Sequence, residues 1–308
     1  MLGYHRDYRP ETWDGVIGQD NVVAQLKTGC DTGATPHAML FTGPSGVGKT
    51  TAARILRNQL GCHASDYVEI NAASSRGIDT IRDINQNCRM RPMERSRVYV
   101  LDECHQLTTP AQQSMLKMLE DCPDHVYFVL VTSEPGKLIN AVKTRCTPFA
   151  FSAVPPRMIV DLLRGVLREV NPPVKAGLKE LCHEISDACD GSPRMALVML
   201  EAALKLDDPD ARVASVRNAG TEQEAAAIDL ARALVSSDWS KIRTELKRLD
   251  ATLKSDHESV RRVVLGYCAT VLLNKGDEQA FRVANLFETN FLDSGRAGII
   301  LASYAASH

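Results

Sequence analysis

Between residues 39 and 151 the hydrophobic positions gather into short unbroken runs separated by mixed stretches. Met39-Leu40-Phe41-Thr42 is the first, Tyr67-Val68-Glu69-Ile70 the second and Val98-Tyr99-Val100-Leu101 the third; Val126 to Val131 makes a fourth and Phe149-Ala150-Phe151 a short fifth. Apolar runs of this length predict strands covered on both faces. Separated by helical stretches, they predict an α/β domain built on a five-stranded parallel sheet. After Phe151 the strand signals stop, and Pro155-Pro156 marks a break. From Met158 to Val170 a stripe of Ile159, Leu162, Leu163, Val166 and Leu167 predicts a helix, and Leu178 to Ala188 and Pro193 to Leu206 predict two more. Asp207 to Gly220 reads as a polar interval. Helical patterns resume at Thr221, with Ile242, Leu246 and Leu249 at i, i+4 and i+7. Three domains are expected: α/β over 1–152, small helical over 153–215, and all-helical over 216–308.

The turn after the first run carries the chemistry. Gly43-Pro44-Ser45-Gly46-Val47-Gly48-Lys49-Thr50 fits G-x-x-x-x-G-K-[ST] and opens a helix, Thr50 to Leu60. Glycines let such a loop wrap so that its N–H groups point at phosphate oxygens, and the helix dipole adds positive potential. Gly43, Ser45, Gly46, Val47, Gly48, Lys49, Thr50 and Thr51 are therefore candidates to hold ATP, Lys49 at the β/γ-phosphates and Thr50 in the Mg²⁺ shell. The third run ends in Asp102-Glu103. Asp102 at a strand tip suits Mg²⁺, and Glu103 beside it suits a general base that polarises water. A full strand lies between the two motifs, as in the NTPase branch that carries a catalytic Glu after the Mg²⁺ Asp.

Composition changes the picture little. The 308 residues are 44% hydrophobic and 24% charged, with a formal net charge of −2, so any DNA contact needs a local basic face. No apolar run is long enough to span a membrane, and Met1 to Glu11 does not read as a signal peptide. The nine cysteines are scattered and never form C-x-x-C, which reads as reduced thiols in the cytoplasm. Cys62-His63 has no second pair at zinc spacing.

Four further segments carry a family resemblance. Leu101-Asp-Glu-Cys-His-Gln-Leu107, Gln113 to Glu120, Phe128 to Lys137 and Thr144-Arg145-Cys146 together resemble the AAA+ ATPases of DNA sliding-clamp loaders. These are the bacterial tau/gamma subunits, the replication factor C small subunits and the large loader subunits of tailed phages. Tyr8-Arg9-Pro10 and Val16-Ile17-Gly18-Gln19 resemble the family's opening motif, and the matches cover residues 8 to 200. The resemblance implies that Tyr8, Arg9, Val16 and Ile17 wrap the adenine. It implies that Ser133, with Thr132 as neighbour candidate, is the sensor near the γ-phosphate. Arg145 then reaches the ATP of the next subunit in trans. Arg194, in Gly191-Ser192-Pro193-Arg194, faces the nucleotide in cis from a helix that Ser192 caps. The 153–215 region becomes a lid and 216–308 a collar for oligomerisation. No four-cysteine zinc insert follows the first helix and the chain stops at His308, which favours the phage or replication factor C style.

The same resemblance implies partners: primer–template DNA, a ring-shaped clamp and other loader subunits in a pentamer, in the cytoplasm of a bacterial or phage-infected cell, near the nucleoid. Arg76, Arg82 and Lys117 are the DNA-facing candidates, and Ile78, Ile81, Ile84 and Cys88 the buried stripe behind them. Met90 and Met93 are candidates for clamp contact. Two other readings stay open: another AAA+ motor that remodels Holliday junctions or forks, and a non-hydrolysing scaffold subunit.

Overall fold

The computed structural model describes residues 3–75, 77–252, 257–288, 291 and 295–307. They divide into two compact units, Met1–Pro209 and Asp210–His308. The first is built on β1 (Ala38–Thr42), β2 (Cys62–Asn71), β3 (Ser96–Asp102), β4 (Val126–Thr132) and β5 (Thr147–Ala150). All pairings are parallel, in the order β2-β3-β4-β1-β5. Side chains alternate across the sheet, and both faces are apolar. Leu40, Tyr99, Leu101, Phe128 and Leu130 pack on one side with Ile81 and Ile84 of α4 (Ile78–Asn87) and Met115 of α5 (Thr109–Glu120). Met39, Phe41, Val98, Val100, Val129 and Val131 pack on the other with Leu26 of α2 (Asp20–Thr32) and Ala52, Ile55 and Leu56 of α3 (Lys49–Gln59). Burying such side chains stabilises by about 1.5–3 kcal/mol each, which fixes the strand tips rigidly.

β2 is longer than its apolar run predicts. It begins at Cys62, and a register shift between Cys62 and Tyr67 keeps the polar residues His63 to Asp66 in the strand. The short helix α1 (Tyr4–Asp7) precedes the sheet in sequence, and α6 (Asn140–Lys143) lies between β4 and β5. Three helices complete this unit: α7 (Pro156–Val170), α8 (Leu178–Ala188) and α9 (Pro193–Ala203). Ser192 caps α9 by accepting from the Met195 N–H at 3.3 Å, and Pro193 is its first residue, where a missing N–H costs nothing.

The second unit is helical: α10 (Pro209–Val235), α11 (Trp239–Thr252), α12 (His257–Lys275), α13 (Glu278–Glu288) and α14 (Gly295–Ser307). Leu230, Leu234, Ile242, Val264, Val283 and Phe287 lie in its core. The expected polar interval at 207–220 is corrected, because α10 starts at Pro209. Pro209 and Asp210 suit a helix start, and Val213 and Val216, three apart, are buried. The flanking Asp210, Arg212 and Arg217 mask that spacing in the sequence. The boundary expected at 215/216 falls inside this helix.

Candidate functional site

The carboxyl ends of β1, β4 and β3 stand side by side, so the turns that follow them converge. This is where open parallel sheets place ligands. Gly43, Gly46 and Gly48 all have positive φ, at 139°, 77° and 107°, which lets the loop curl around the start of α3. The loop is also tightly hemmed in. A Cβ on Gly43 would lie 2.1 Å from the Phe151 carbonyl oxygen, and one on Gly46 would lie 2.2 Å from Ser192 Oγ. Gly46 O accepts from the Arg194 N–H at 3.4 Å, so loop and α9 are joined through backbone. Gly43→Ala is expected to lower stability by about 1–3 kcal/mol from backbone strain alone, measured by urea unfolding. An unchanged midpoint would contradict that.

Lys49 is buried, and its Nζ donates to the Gly43 and Pro44 carbonyls at 2.7 and 2.6 Å. Burial pulls its pKa below the ordinary lysine range, while the Glu103 and Asp102 carboxylates push it up. Thr50 Oγ1 donates to Asp102 Oδ2 at 3.0 Å, and the Glu103 N–H donates to Asp102 Oδ1 at 3.0 Å. Asp102 is thus held by one donor on each oxygen. Glu103 itself sits at φ 52°, ψ 40°, a left-handed conformation costly for a non-glycine and concentrated at functional sites. Ser133 Oγ donates to Glu103 Oε2 at 3.3 Å. Thr132 is fully buried; its Oγ1 accepts from the Glu134 N–H at 2.9 Å and lies 3.0 Å from His105 Nδ1. Of the two sensor candidates, the one that reaches Glu103 is Ser133.

Lys49, Thr50, Asp102 and Glu103 open onto a cavity of 410 Å³, whose lining does not include Ser133 or Thr132; the volume is within the range of ordinary small-molecule sites. Tyr8, Arg9, Val16, Ile17, Ser45, Gly46, Val47, Gly48, Lys49, Thr50, Thr51, Asp102, Glu103 and Arg194 all line it. Burial, with the like charges of Arg54, Arg194 and Arg6, lowers the Arg9 pKa, against the pull of Glu69. The sequence reading missed a face of α7: Asp161, Leu162, Gly165, Val166 and Glu169 also line the cavity, as do His5 and Leu197. Leu162 and Val166 were read only as part of a packing stripe. Gly165 at the centre of that face was the available signal.

Other candidates stand elsewhere. Arg145, between α6 and β5, is absent from the cavity lining; its guanidinium pairs with Glu120 at 3.2 Å and donates to the Ala141 carbonyl at 3.0 Å. Lys117 is exposed on α5. Arg82 is exposed on α4 and paired with Asp79 at 3.0 Å. Arg76 lies outside the described residues. Behind Arg82, Ile81, Ile84 and Cys88 are buried, while Ile78 is only partly so. Met90 and Met93 are 57% and 73% exposed, unusual for large apolar side chains. Among the described residues no group of three or more His, Cys, Asp or Glu could hold a metal, and no helix is long and apolar enough to cross a membrane.

Comparison with known proteins agrees with this frame. The family described as DNA polymerase III, delta subunit, matches residues 64–155. DNA polymerase III subunit gamma/tau of Mycobacterium tuberculosis is 32% identical over 227 residues, covering 66% of this chain and 39% of that protein. Subunit tau of Bacillus subtilis is 33% identical over 222 residues, covering 65% and 39%. Subunit tau of Escherichia coli is 31% identical over 266 residues, covering 77% and 40%. The chain therefore spans about two fifths of the length of these relatives. They are bacterial gamma/tau chains, not the phage or replication factor C style that the missing zinc insert favoured. Among solved structures, the Thermotoga maritima RuvB Holliday junction branch migration motor matches with a TM-score of 0.55 at 21% identity, covering 68% of this chain and 72% of that one. At that identity the likeness shows the fold alone.

Proposed function

The chain belongs to the family of the bacterial DNA polymerase III gamma/tau subunits, and from that premise we propose that it is an ATP-hydrolysing subunit of a DNA sliding-clamp loader. The observation that carries the reading is the convergence at three strand ends. The Lys49 ammonium, the Thr50–Asp102 pair and Glu103, whose carboxylate Ser133 holds, face one cavity, while Arg145 stands outside it. That arrangement supports a site that binds nucleotide in cis and is completed by a neighbour.

In this reading Lys49 and the loop amides bind the phosphates, and Val16, Ile17 and Tyr8 hold the adenine. The Thr50 hydroxyl and Asp102 carboxylate are hard oxygen donors that suit Mg²⁺, an ion usually held by one or two protein groups plus phosphates and water. When bound, Mg²⁺ neutralises charge on the phosphoryl oxygens. Glu103 takes a proton from the attacking water, with Ser133 holding the carboxylate in place. Arg194 at the start of α9 reports nucleotide to the lid through its backbone bond to Gly46. Arg145 of one subunit closes onto the γ-phosphate held by the next, where a forked, permanently charged guanidinium stabilises charge on the transferring group.

Residues 1–152 suit a nucleotide domain in this cycle, helices α7 to α9 a lid, and the helical unit from Asp210 a collar. Exposed Leu273, Phe281 and Leu301 on the last of these suit contacts between subunits in a pentamer. ATP binding forms a spiral that holds the clamp open, primer–template DNA enters past Arg76, Arg82 and Lys117, and hydrolysis releases both. Met90 and Met93 meet the clamp. These steps place the chain in the cytoplasm, at the nucleoid.

The test is steady-state ATPase of the assembled complex with and without clamp and primer–template DNA. Stimulation by both together, about tenfold or more, is expected. ATPase indifferent to the clamp and coupled to strand movement would point instead to a branch-migration type of motor.

A further inference from the structure

His105, in the turn after β3, is 6% exposed and lies among the groups that flank Glu103. Its Nδ1 stands 3.3 Å from Glu103 Oε2 and 3.0 Å from Thr132 Oγ1. Its Nε2 stands 3.5 Å from Glu134 Oε1, and Glu134 in turn pairs with Lys137 at 3.3 Å. One buried ring therefore touches the carboxylate read above as the general base, the end of β4 that carries Ser133, and the first residue after that sensor. Burying an imidazole among two carboxylates costs desolvation that an apolar residue would avoid. A residue that only filled space here would be better replaced by leucine. The Glu103 side chain is held from the β4 side by Ser133 Oγ at 3.3 Å and faces His105 Nδ1 at 3.3 Å.

We propose that His105 is a positioning residue for ATP hydrolysis, holding the Glu103 carboxylate in register with the Thr132–Glu134 strand end. A proton on Nδ1 lets the ring donate toward Glu103 Oε2 or Thr132 Oγ1, and a proton on Nε2 faces Glu134 Oε1; a bare nitrogen holds neither carboxylate, so the tautomer decides which strand end the ring grips. The segment after Glu134 runs through Lys137 and α6 to Arg145. The ring thus joins the base of a subunit's own site to the stem of the arginine that it offers its neighbour. A catalytic group displaced by about 1 Å loses on the order of 10²-fold in rate, so a side chain that acts only through Glu103 still has a large kinetic effect.

The inference rests on Glu103 being the general base, and the experiment separates the two. Single-turnover ATP hydrolysis and nucleotide affinity are measured on the full chain in its assembled complex for His105→Asn, His105→Gln and Glu103→Gln. Asparagine places a polar atom where Nδ1 stands, and glutamine places one where Nε2 stands. His105→Asn is expected to keep the rate within about threefold, and His105→Gln to lower it about tenfold or more. ATP affinity should stay within about twofold in both, because neither changes a phosphate contact. In the Glu103→Gln background, His105→Gln should add no further loss. Equal rates for the two His105 variants, or a loss that falls on affinity, would overturn the positioning role. Full activity in Glu103→Gln would overturn the base assignment itself and the inference with it. A purely structural histidine would lower the unfolding midpoint of both variants without splitting their rates.

Discussion

Arg145→Ala is expected to cut ATP hydrolysis by the assembled complex about 10³–10⁵-fold, the range found for in-trans arginine fingers. The affinity of each subunit for ATP should stay within about twofold, because Arg145 does not line the cavity of its own chain. Loss of folding would not explain such a result. The Arg145–Glu120 pair is partly exposed, at 32% and 61% for the two side chains. Exposed pairs contribute about 0–1 kcal/mol. Lysine should rescue poorly, since it keeps the charge but lacks the planar fork. Mixed complexes give the sharper reading. A subunit carrying Arg145→Ala should silence its neighbour's site and leave its own intact. If hydrolysis falls in the mutated subunit's own site, the finger acts in cis and the ring mechanism fails.

Glu103→Gln is expected to lower hydrolysis about 10²–10⁴-fold, the usual contribution of a general base. Glutamine keeps the size of the side chain and can still accept from Ser133, so binding and folding should be preserved. The complex should then stay in its ATP-bound state and retain an open clamp. Single-turnover hydrolysis and clamp retention measured on one preparation check this. Near-normal hydrolysis would mean that another group activates water.

The sheet could be read from the sequence because its strands are buried on both faces. Met39 to Phe41, Val98 to Leu101 and Val126 to Val131 leave almost no polar position to confuse with a helix. The phosphate loop was readable because glycine spacing and a strand-to-helix turn are local properties. What could not be read depended on distant parts of the chain. The resemblance picks Ser133 ahead of the adjacent Thr132 but not its contact with Glu103, which depends on the strand's alternation burying Thr132 opposite Thr42. A buried stripe on α7 looks alike whether it faces a core or a cavity, so Asp161 and Glu169 gave no separate signal, and Gly165 was the one available. The start of α10 was hidden because its two buried valines sit among charged residues. His105 stood inside a recognised motif, but its reach to Glu134 crosses from one strand end to the next. Arg145 illustrates the opposite case, where motif resemblance suggests a partner that one chain does not contain.

The most direct measurement is transfer of a labelled clamp onto nicked circular DNA bearing a primer–template junction, by the assembled complex with ATP. The account predicts ATP-dependent retention of the clamp on the circle, release on linearising it, and no clamp left in closed form when Glu103→Gln or Arg145→Ala replaces the wild-type chain. ATP turnover that proceeds normally while no clamp is transferred, even with all loader subunits present, would contradict it.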